Sequence, residues 1–386
     1  MIASNYSLHD YGRMITCEPR MGAFAEALRR SVTPGCRVID IGAGPGLFSL
    51  LACEYGAGHV VAIEPDASIE IARQAAHENG FGDRITFVRD KSQNWHTEEK
   101  ADVVISDIRG VMPLFEHHIP TIKDVRSRLL KPGGVQIPGI DHIYAALVEA
   151  PEVYAKRLGP WIDKPYGIDM SAAHCYGINN WSKVYLPSET LMSPPQIFAT
   201  LDYRSVEETN HRASLSFEAT RPGTVHGILM WFETELVPGV GYGNAPGAPE
   251  QVYGQAFFPL EHSLNLLEGA TASADITANF LDGNYVWSWN FRATDAEGDT
   301  HAFRQSSFKS KIISAGMLAS RAASFCPPAR NAQAIDVYCI SRFDGKTNLN
   351  TIAEQVLGAF PQDFATKSMA LKHVANLSAK YNKSQI

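Results

Sequence analysis

The sequence predicts an α/β protein: a parallel-sheet nucleotide-binding domain, then a β-barrel or sandwich, then a small helical domain. Three observations carry this. A strand-like run, Arg37-Val-Ile-Asp-Ile41, flows into Gly42-Ala-Gly-Pro-Gly46 and on into a helical pattern from Leu47 to Tyr55. From about residue 141 the pattern changes to short alternating strands separated by turn signals. Beyond Pro327-Pro328, apolar residues recur at helical spacing. A chain of 386 residues is expected to hold two or three domains of about 100–200 residues each. The expected spans are 1–140, 141–310 and 311–386.

Composition narrows the class of function. Hydrophobic residues make up 45% and the formal net charge is -7, which fits a globular protein and gives no basic footprint for nucleic acid. The amino terminus, MIASNYSLHDYGR, lacks the charged and apolar regions of a signal peptide, and no run approaches the roughly 18 apolar residues of a membrane span. A cytoplasmic protein without a membrane partner is expected. Six cysteines are scattered without CxxC spacing, so reduced thiols are expected, and neither a disulfide framework nor a metal site.

The first domain opens with a helical pattern from Met21 to Val32, broken by Pro34-Gly35. Asp40 stands directly before the glycine loop, the strand His59-Val-Val-Ala-Ile63 ends at the acid Glu64, and the third strand of the pattern begins at Asp102. Glycines let a backbone approach a ligand lying at a helix amino terminus, and an acid after the second strand suits ribose hydroxyls. These features alone leave a dinucleotide open. The apolar string Val103-Val104-Ile105 leads into Ser106-Asp-Ile-Arg-Gly-Val-Met-Pro-Leu-Phe-Glu116, which places Asp107 and Glu116 nine residues apart in one loop. Loops beyond the carboxyl ends of strands are where α/β proteins put chemistry. A single surface acid is usually just solvated, so the pair draws its interest from its surroundings.

The segments VIDIGAGPG and VVAIEPD resemble motif I and its successor in class I S-adenosyl-L-methionine-dependent methyltransferases. Dinucleotide enzymes more often carry G-x-G-x-x-G. The resemblance implies that Gly42, Gly44 and Gly46 border the methionine part of the donor and that Glu64 binds its ribose. It also implies that Asp40 organises the loop, and that Lys91 and Ser92 lie at the adenine edge, unless they form a plain exposed turn.

The two-acid loop is similar to the double-acid loop of protein arginine N-methyltransferases. Met14-Ile-Thr-Cys-Glu-Pro-Arg20 resembles the amino-terminal segment of that family, Lys131-Pro-Gly-Gly-Val-Gln-Ile-Pro138 its turn out of the first domain, and Tyr166-Gly-Ile-Asp-Met-Ser171 a stretch of its second. The resemblance runs from about residue 5 to about 310. It implies a Rossmann-like class I methyltransferase domain followed by a β-barrel, with S-adenosyl-L-methionine as cofactor. Met14 would pack on the donor and Arg20 hold its carboxylate. A homodimer would form through an arm near residues 164–196.

Two acids suit the expected substrate. A guanidinium is planar, permanently cationic and bidentate, so carboxylates can fix its nitrogens. They can also draw positive charge away from the attacking nitrogen while alignment lowers the barrier to in-line displacement. By position Glu116 takes the role of the second family acid and Asp107 that of the first, normally a glutamate. Arg109 is a second departure, either neutralising an acid structurally or meeting a substrate carboxylate such as free arginine offers. The family's Thr-His-Trp loop corresponds to Gln251-Val-Tyr-Gly-Gln-Ala-Phe257, with Val252 for the histidine and Tyr253 for the tryptophan. Tyr253 would then be an aromatic wall for substrate. The expected activity is methyl transfer to the guanidino group of arginine, free or in a peptide or protein. The alternative is a class I methyltransferase acting on another small-molecule nitrogen or oxygen.

In the second domain the expected strands include 142–148, 197–203, 213–219, 227–236, 274–281 and 285–291, with Trp231, Trp287 and Trp289 as core residues in preference to a cation cage. The last domain reads as helices over 334–342, 349–360 and 364–381. Arg342-Phe-Asp-Gly-Lys-Thr faintly resembles small winged-helix or peptide-chaperone modules of bacterial peptide-modifying systems. A plain helical docking or dimerisation element is favoured.

Overall fold

A computed structural model describes residues 6–328 and 331–381, in two compact units, Met1–Ile312 and Ile313–Ile386. The first unit begins with α1 (Leu8–Ile15). The Ser7 hydroxyl accepts from the Asp10 amide at 3.3 Å while the Asp10 carboxylate accepts from the Ser7 amide at 2.9 Å. This reciprocal cap fixes where the helix starts. α2 (Glu18–Ser31) has Pro19 in its first turn, where no amide is needed, and buries Phe24, Ala27 and Leu28.

Five strands then form a parallel sheet: β1 (Arg37–Ile41), β2 (His59–Ile63), β3 (Ile85–Val88), β4 (Ala101–Ser106) and β5 (Leu130–Ile137). Their spatial order is β3-β2-β1-β4-β5. The pattern of the sequence does not announce β3, a four-residue strand only partly buried, so the strand near Asp102 is the fourth. Helices α3 (Leu47–Glu54), α4 (Ile69–Glu78) and α5 (His118–Arg128) follow β1, β2 and β4. Chain order runs one way from β1 and the other way from β4, so the crevice between their carboxyl ends is the topological switch point where ligands bind in open α/β sheets. Ile41 pairs with Ser106 there, which brings the glycine loop and the two-acid loop side by side.

Ten strands follow: β6 (Ile140–Val148), β7 (Ser182–Val184), β8 (Gln196–Asp202), β9 (His211–Glu218), β10 (Gly223–Val237), β11 (Val240–Gly243), β12 (Gln255–Leu266), β13 (Thr271–Leu281), β14 (Asn284–Thr294) and β15 (Thr300–Ser306). They make two antiparallel sheets, β7-β12-β10-β6-β8 with β11 beside β10, and β15-β14-β13-β9. One core joins both, with Ile143, Met230 and Phe258 from the first sheet and Leu215, Ile276 and Phe303 from the second. Trp231, Trp287 and Trp289 are at most 2% exposed, and truncating a side chain as enclosed as Trp289 costs about 3–5 kcal/mol.

The second unit has its own core. Helices Asn331–Ile340, Leu349–Ala359 and Lys367–Tyr381 pack Ile335, Cys339, Ile352, Val356 and Val374 together, and Asn348 caps the middle one. Among the described residues this unit contains no strand, so the faint likeness to winged-helix modules finds no wing. No helix among the described residues is long and apolar enough to cross a membrane.

Candidate active site

The glycine loop is shaped for close approach. Gly44 has φ +52°, and a Cβ there would lie 2.8 Å from the ring of Tyr11, which covers the loop from α1. Gly46, at φ +84°, would press a Cβ to 2.5 Å from that of Ala72. Only glycine satisfies both the left-handed backbone and the space. Glu64, 5% exposed, accepts from the Gly44 amide at 3.0 Å with one oxygen and from the Asp66 amide at 2.8 Å with the other. Burial raises its pKa. Each oxygen keeps a lone pair for a further donor, so a ribose diol fits without breaking the loop.

Asp40 is fully buried beneath. One oxygen accepts from the Ser49 hydroxyl at 2.7 Å and the other has no partner. Burial, helped by the charge of Glu64, pushes its pKa up to about 7. Ser92 is buried, and its carbonyl accepts from Arg128 at 2.9 Å, while Lys91 is exposed. The carbonyl of Met14 accepts from Arg20 at 3.1 Å.

The two acids sit in contrasting surroundings. Asp107, its side chain 4% exposed, accepts from Arg20 Nε at 2.6 Å and from the Tyr253 hydroxyl at 2.5 Å on one oxygen, and from Arg109 Nε at 3.3 Å on the other. Burial alone would raise its pKa, but the two guanidinium charges overcome this and hold it below the ordinary carboxylate range. Glu116 is half-buried and has no hydrogen bond or ion pair among the described residues. Its φ is +38°, a left-handed backbone that costs a non-glycine residue on the order of 1–3 kcal/mol and persists where the surroundings enforce it. Tyr6 lies near both acids. Burial first, and then the charges of Asp107 and Glu116, raise the pKa of its hydroxyl.

The expectation that Arg109 might meet a substrate carboxylate is corrected. Its side chain has no exposure and its donors are taken by Asp141 at 2.6 Å, Thr234 at 3.0 Å and Tyr242 at 2.6 Å, besides Asp107. Burying an unpaired guanidinium is prohibitive, and here the barrel strands β6, β10 and β11 supply the partners. Arg20, Arg109, Asp107 and Asp141 thus form a quartet of zero net charge tying the first sheet to the barrel, in which Arg20 Nη2 takes no partner among the described residues. Tyr253 also turns inward: it is 7% exposed and its hydroxyl contacts Asp107 and Arg20, so it presents little wall to a substrate.

Sequence reasoning missed Asp141, Thr234, Tyr242 and Tyr203, whose hydroxyl donates to Asp141. It also missed His118, stacked on Tyr203 at 5.2 Å, with neither ring nitrogen hydrogen-bonded. Burial pushes the His118 pKa down to about 4. The one available signal was Asp141 at the start of an apolar strand, an acid that needs a buried partner.

A parallel sheet with a glycine loop and acid at its switch point, joined to an antiparallel barrel, is the fold of a class I methyltransferase domain with an appended barrel. Residues 140–294 match the family model of the arginine methyltransferase oligomerization subdomain, and residues 24–140 that of ribosomal protein L11 methyltransferase (PrmA). Protein arginine N-methyltransferase 6 of Xenopus laevis is 27% identical over 296 residues, covering 73% of this chain and 86% of that protein. Protein arginine N-methyltransferase 1 of Saccharomyces cerevisiae is 26% identical over 278 residues, 69% of this chain and 80% of its own. Among solved structures, the Trypanosoma brucei PRMT1 enzyme-prozyme heterotetrameric complex with AdoHcy superposes with a TM-score of 0.72 at 21% identity, covering 79% of this chain and 99% of that one. Arabidopsis thaliana protein arginine methyltransferase 10 gives 0.68 at 19%, covering 78% and 97%. The chain is thus similar, at 26–27% identity over 69–73% of its length, to proteins named protein arginine N-methyltransferases, and its second half carries the match to the arginine methyltransferase oligomerization subdomain.

Proposed function

We propose that the protein is a cytoplasmic, homodimeric enzyme that moves a methyl group from S-adenosyl-L-methionine to a guanidino nitrogen of arginine. The observation that carries this is the unpartnered carboxylate of Glu116, held on a strained backbone in the loop beside the donor cradle. S-adenosyl-L-methionine, when bound, supplies an electrophilic methyl on a sulfonium. The cradle residues fit it: the glycine loop admits a close ligand, Glu64 has acceptor capacity for ribose, and Arg20 lies at the α1–α2 end of the site, where a carboxylate would meet a cation.

Glu116 orients the substrate guanidinium by charge-assisted hydrogen bonds and draws its positive charge toward the bonded nitrogens. The remaining nitrogen is then the better nucleophile. Asp107 acts from beneath, fixing Arg20 and the loop in place. The product guanidinium sheds its proton to a carboxylate or to water. Residues 164–196 serve as the dimer arm. Tyr166, Ile168 and Met170 are exposed there, as a segment that seats on a partner requires.

The test is mass spectrometry of L-arginine and of an Arg-Gly-rich peptide incubated with the purified protein and S-adenosyl-L-methionine. A methyl gain on either, lost in Glu116→Gln, is the expected result. Methylation retained in that variant would sink the assignment of Glu116, and no gain on either guanidine would sink arginine as substrate.

A further inference from the structure

Glu116 stands at φ +38°, a conformation that glutamate rarely adopts and that persists only where neighbours over-determine it. The flanking side chains show what does so. Phe115 lies over Gly110 of the same loop, so closely that a Cβ there would come within 2.6 Å of its ring. His118 is buried and stacked on Tyr203, with ring centroids 5.2 Å apart. Between Glu116 and His118 stands His117, whose ring is exposed and reaches a third place in the fold.

His117 is the N-cap of α5, yet its side chain makes no capping hydrogen bond, so the ring is not engaged by its own helix. It rests instead on the tip of the β13–β14 hairpin. It meets Phe280 edge-on, with centroids 5.5 Å apart at 75°, and a Cβ at Gly283 would lie 2.7 Å from its Nε2. Leu281 pairs with Asn284, which leaves Asp282 and Gly283 as a two-residue loop with φ +51° and +80°. Two successive left-handed residues are what a type I′ hairpin turn demands. Gly283 thus answers both the turn and the ring above it. The tip is braced from behind: the Phe280 amide donates to Asn210 Oδ1 at 2.8 Å. Phe280 also packs on Tyr285, whose hydroxyl donates to the Thr209 carbonyl at 3.0 Å.

Resting on the proposed arginine methylation, we propose that the β13–β14 tip clamps the two-acid loop: through His117 it holds the strained turn at Glu116 and so aims that carboxylate at the substrate guanidinium. His117 is a positioning residue that acts through the backbone of Glu116. The barrel then serves both acids by different means. It pairs the charges around Asp107 from β6, β10 and β11, and it fixes the direction of Glu116 by packing alone. No covalent step is added.

The experiment follows kcat on L-arginine and an Arg-Gly-rich peptide, binding of S-adenosyl-L-homocysteine by calorimetry, and hydrogen exchange over residues 107–118. The variants are His117→Ala, His117→Phe, Gly283→Ala and, as control, Gly298→Ala. Gly298 has φ +91° and open space where its Cβ would stand, so alanine there strains a backbone without touching the loop. His117→Ala and Gly283→Ala are each expected to lower kcat roughly tenfold, a part of what a misplacement of about 1 Å can cost. Both should hasten exchange over 107–118 and leave S-adenosyl-L-homocysteine binding unchanged. His117→Phe keeps a ring against Phe280 and should restore most of kcat, and Gly298→Ala should keep it. The double variant His117→Ala/Gly283→Ala should lose no more than either single one, because both remove the same contact. Wild-type kcat and exchange in His117→Ala would overturn the clamp, as would single losses that multiply in the double variant. His117→Phe as slow as His117→Ala would also overturn it, since a ring nitrogen would then be the working part. If the wild type methylates no guanidine, the arginine reading fails and exchange alone decides the clamp. Faster exchange in His117→Ala and Gly283→Ala but not in Gly298→Ala would keep it, and unchanged exchange would end it.

Discussion

Asp107 and Glu116 bound the same loop, yet one is paired by the chain's own cations and the other is left open. Asp107 has both oxygens occupied by the chain's own donors, whereas Glu116 has none and sits on a left-handed backbone. The difference follows from what stands behind each. Asp107 emerges from β4 into two buried guanidinium groups that cannot go unpaired. Glu116 sits two residues before the start of α5, half exposed to the site. Two acids at a spacing are therefore not two equal acids. Their division of labour is set by which cations the rest of the fold has already buried.

The largest expected effect breaks the open end. Glu116→Gln keeps the shape and removes the charge, and kcat should fall on the order of 10²- to 10³-fold, as for the loss of a group that stabilises developing charge. Binding of S-adenosyl-L-homocysteine by calorimetry and the melting temperature should barely move. The closed end should answer in the opposite way. Asp107→Asn leaves Arg20 without its carboxylate and Arg109 with one in place of two. Breaking a buried pair costs about 3–5 kcal/mol, so chemical denaturation should show a clear loss of stability, accompanied by weaker donor binding. If Asp107→Asn instead kept full stability and lost only turnover, Asp107 would be the substrate acid after all.

What the sequence made legible divides along the same line. The nucleotide-binding turn was readable because local rules write it: strand, glycines with required left-handed backbone, acid at the next strand end; which nucleotide it takes was not, and came only from the resemblance of the motifs. The acid loop was readable by spacing. What Asp107 does was not, because its partners Arg20, Tyr253 and, through Arg109, Asp141, Thr234 and Tyr242 come from four distant parts of the chain. No periodicity links residue 20 to residue 253. The barrel strands with clean alternation, such as β13 and β14, were found within a few residues of their ends. β15, after Asp295-Ala-Glu-Gly-Asp, and β3, at four residues, were too short or too polar to stand out. Arg109 shows the limit best: as a residue type in a loop it offers two roles, and only the burial of its side chain by β6, β10 and β11 selects between them.

A gentler probe of the closed end is Tyr253→Phe. It removes the hydroxyl that donates to Asp107 and accepts from Arg20 but leaves the carboxylate and both guanidinium groups in place, so a cost of at least about 1.5–3 kcal/mol is expected, typical of one hydrogen bond to a charged group. Because the ring remains, KM for a guanidine substrate should change little. A large KM change with unaltered stability would return Tyr253 to the substrate wall.

The smallest effect at neutral pH concerns His118, two residues beyond Glu116 and buried without a partner on either ring nitrogen. Burial holds its folded pKa near 4, below the ordinary value of 6.5, so the folded state resists the proton that the unfolded state accepts. The sign follows: this contribution to stability is complete above pH 6.5 and is lost as pH falls from 6.5 toward 4. His118→Leu cannot titrate. It trades a stacking contact with Tyr203 for the removal of two orphaned polar atoms, terms of similar size and opposite sign. At pH 7.5 its melting temperature should lie close to the wild type, while between pH 6.5 and 4 its stability should fall less steeply, by up to about 1.4 kcal/mol per pH unit. Parallel curves for the two proteins across that range would mean that His118 titrates alike in both states, and that the loop beyond Glu116 opens enough to let the proton in.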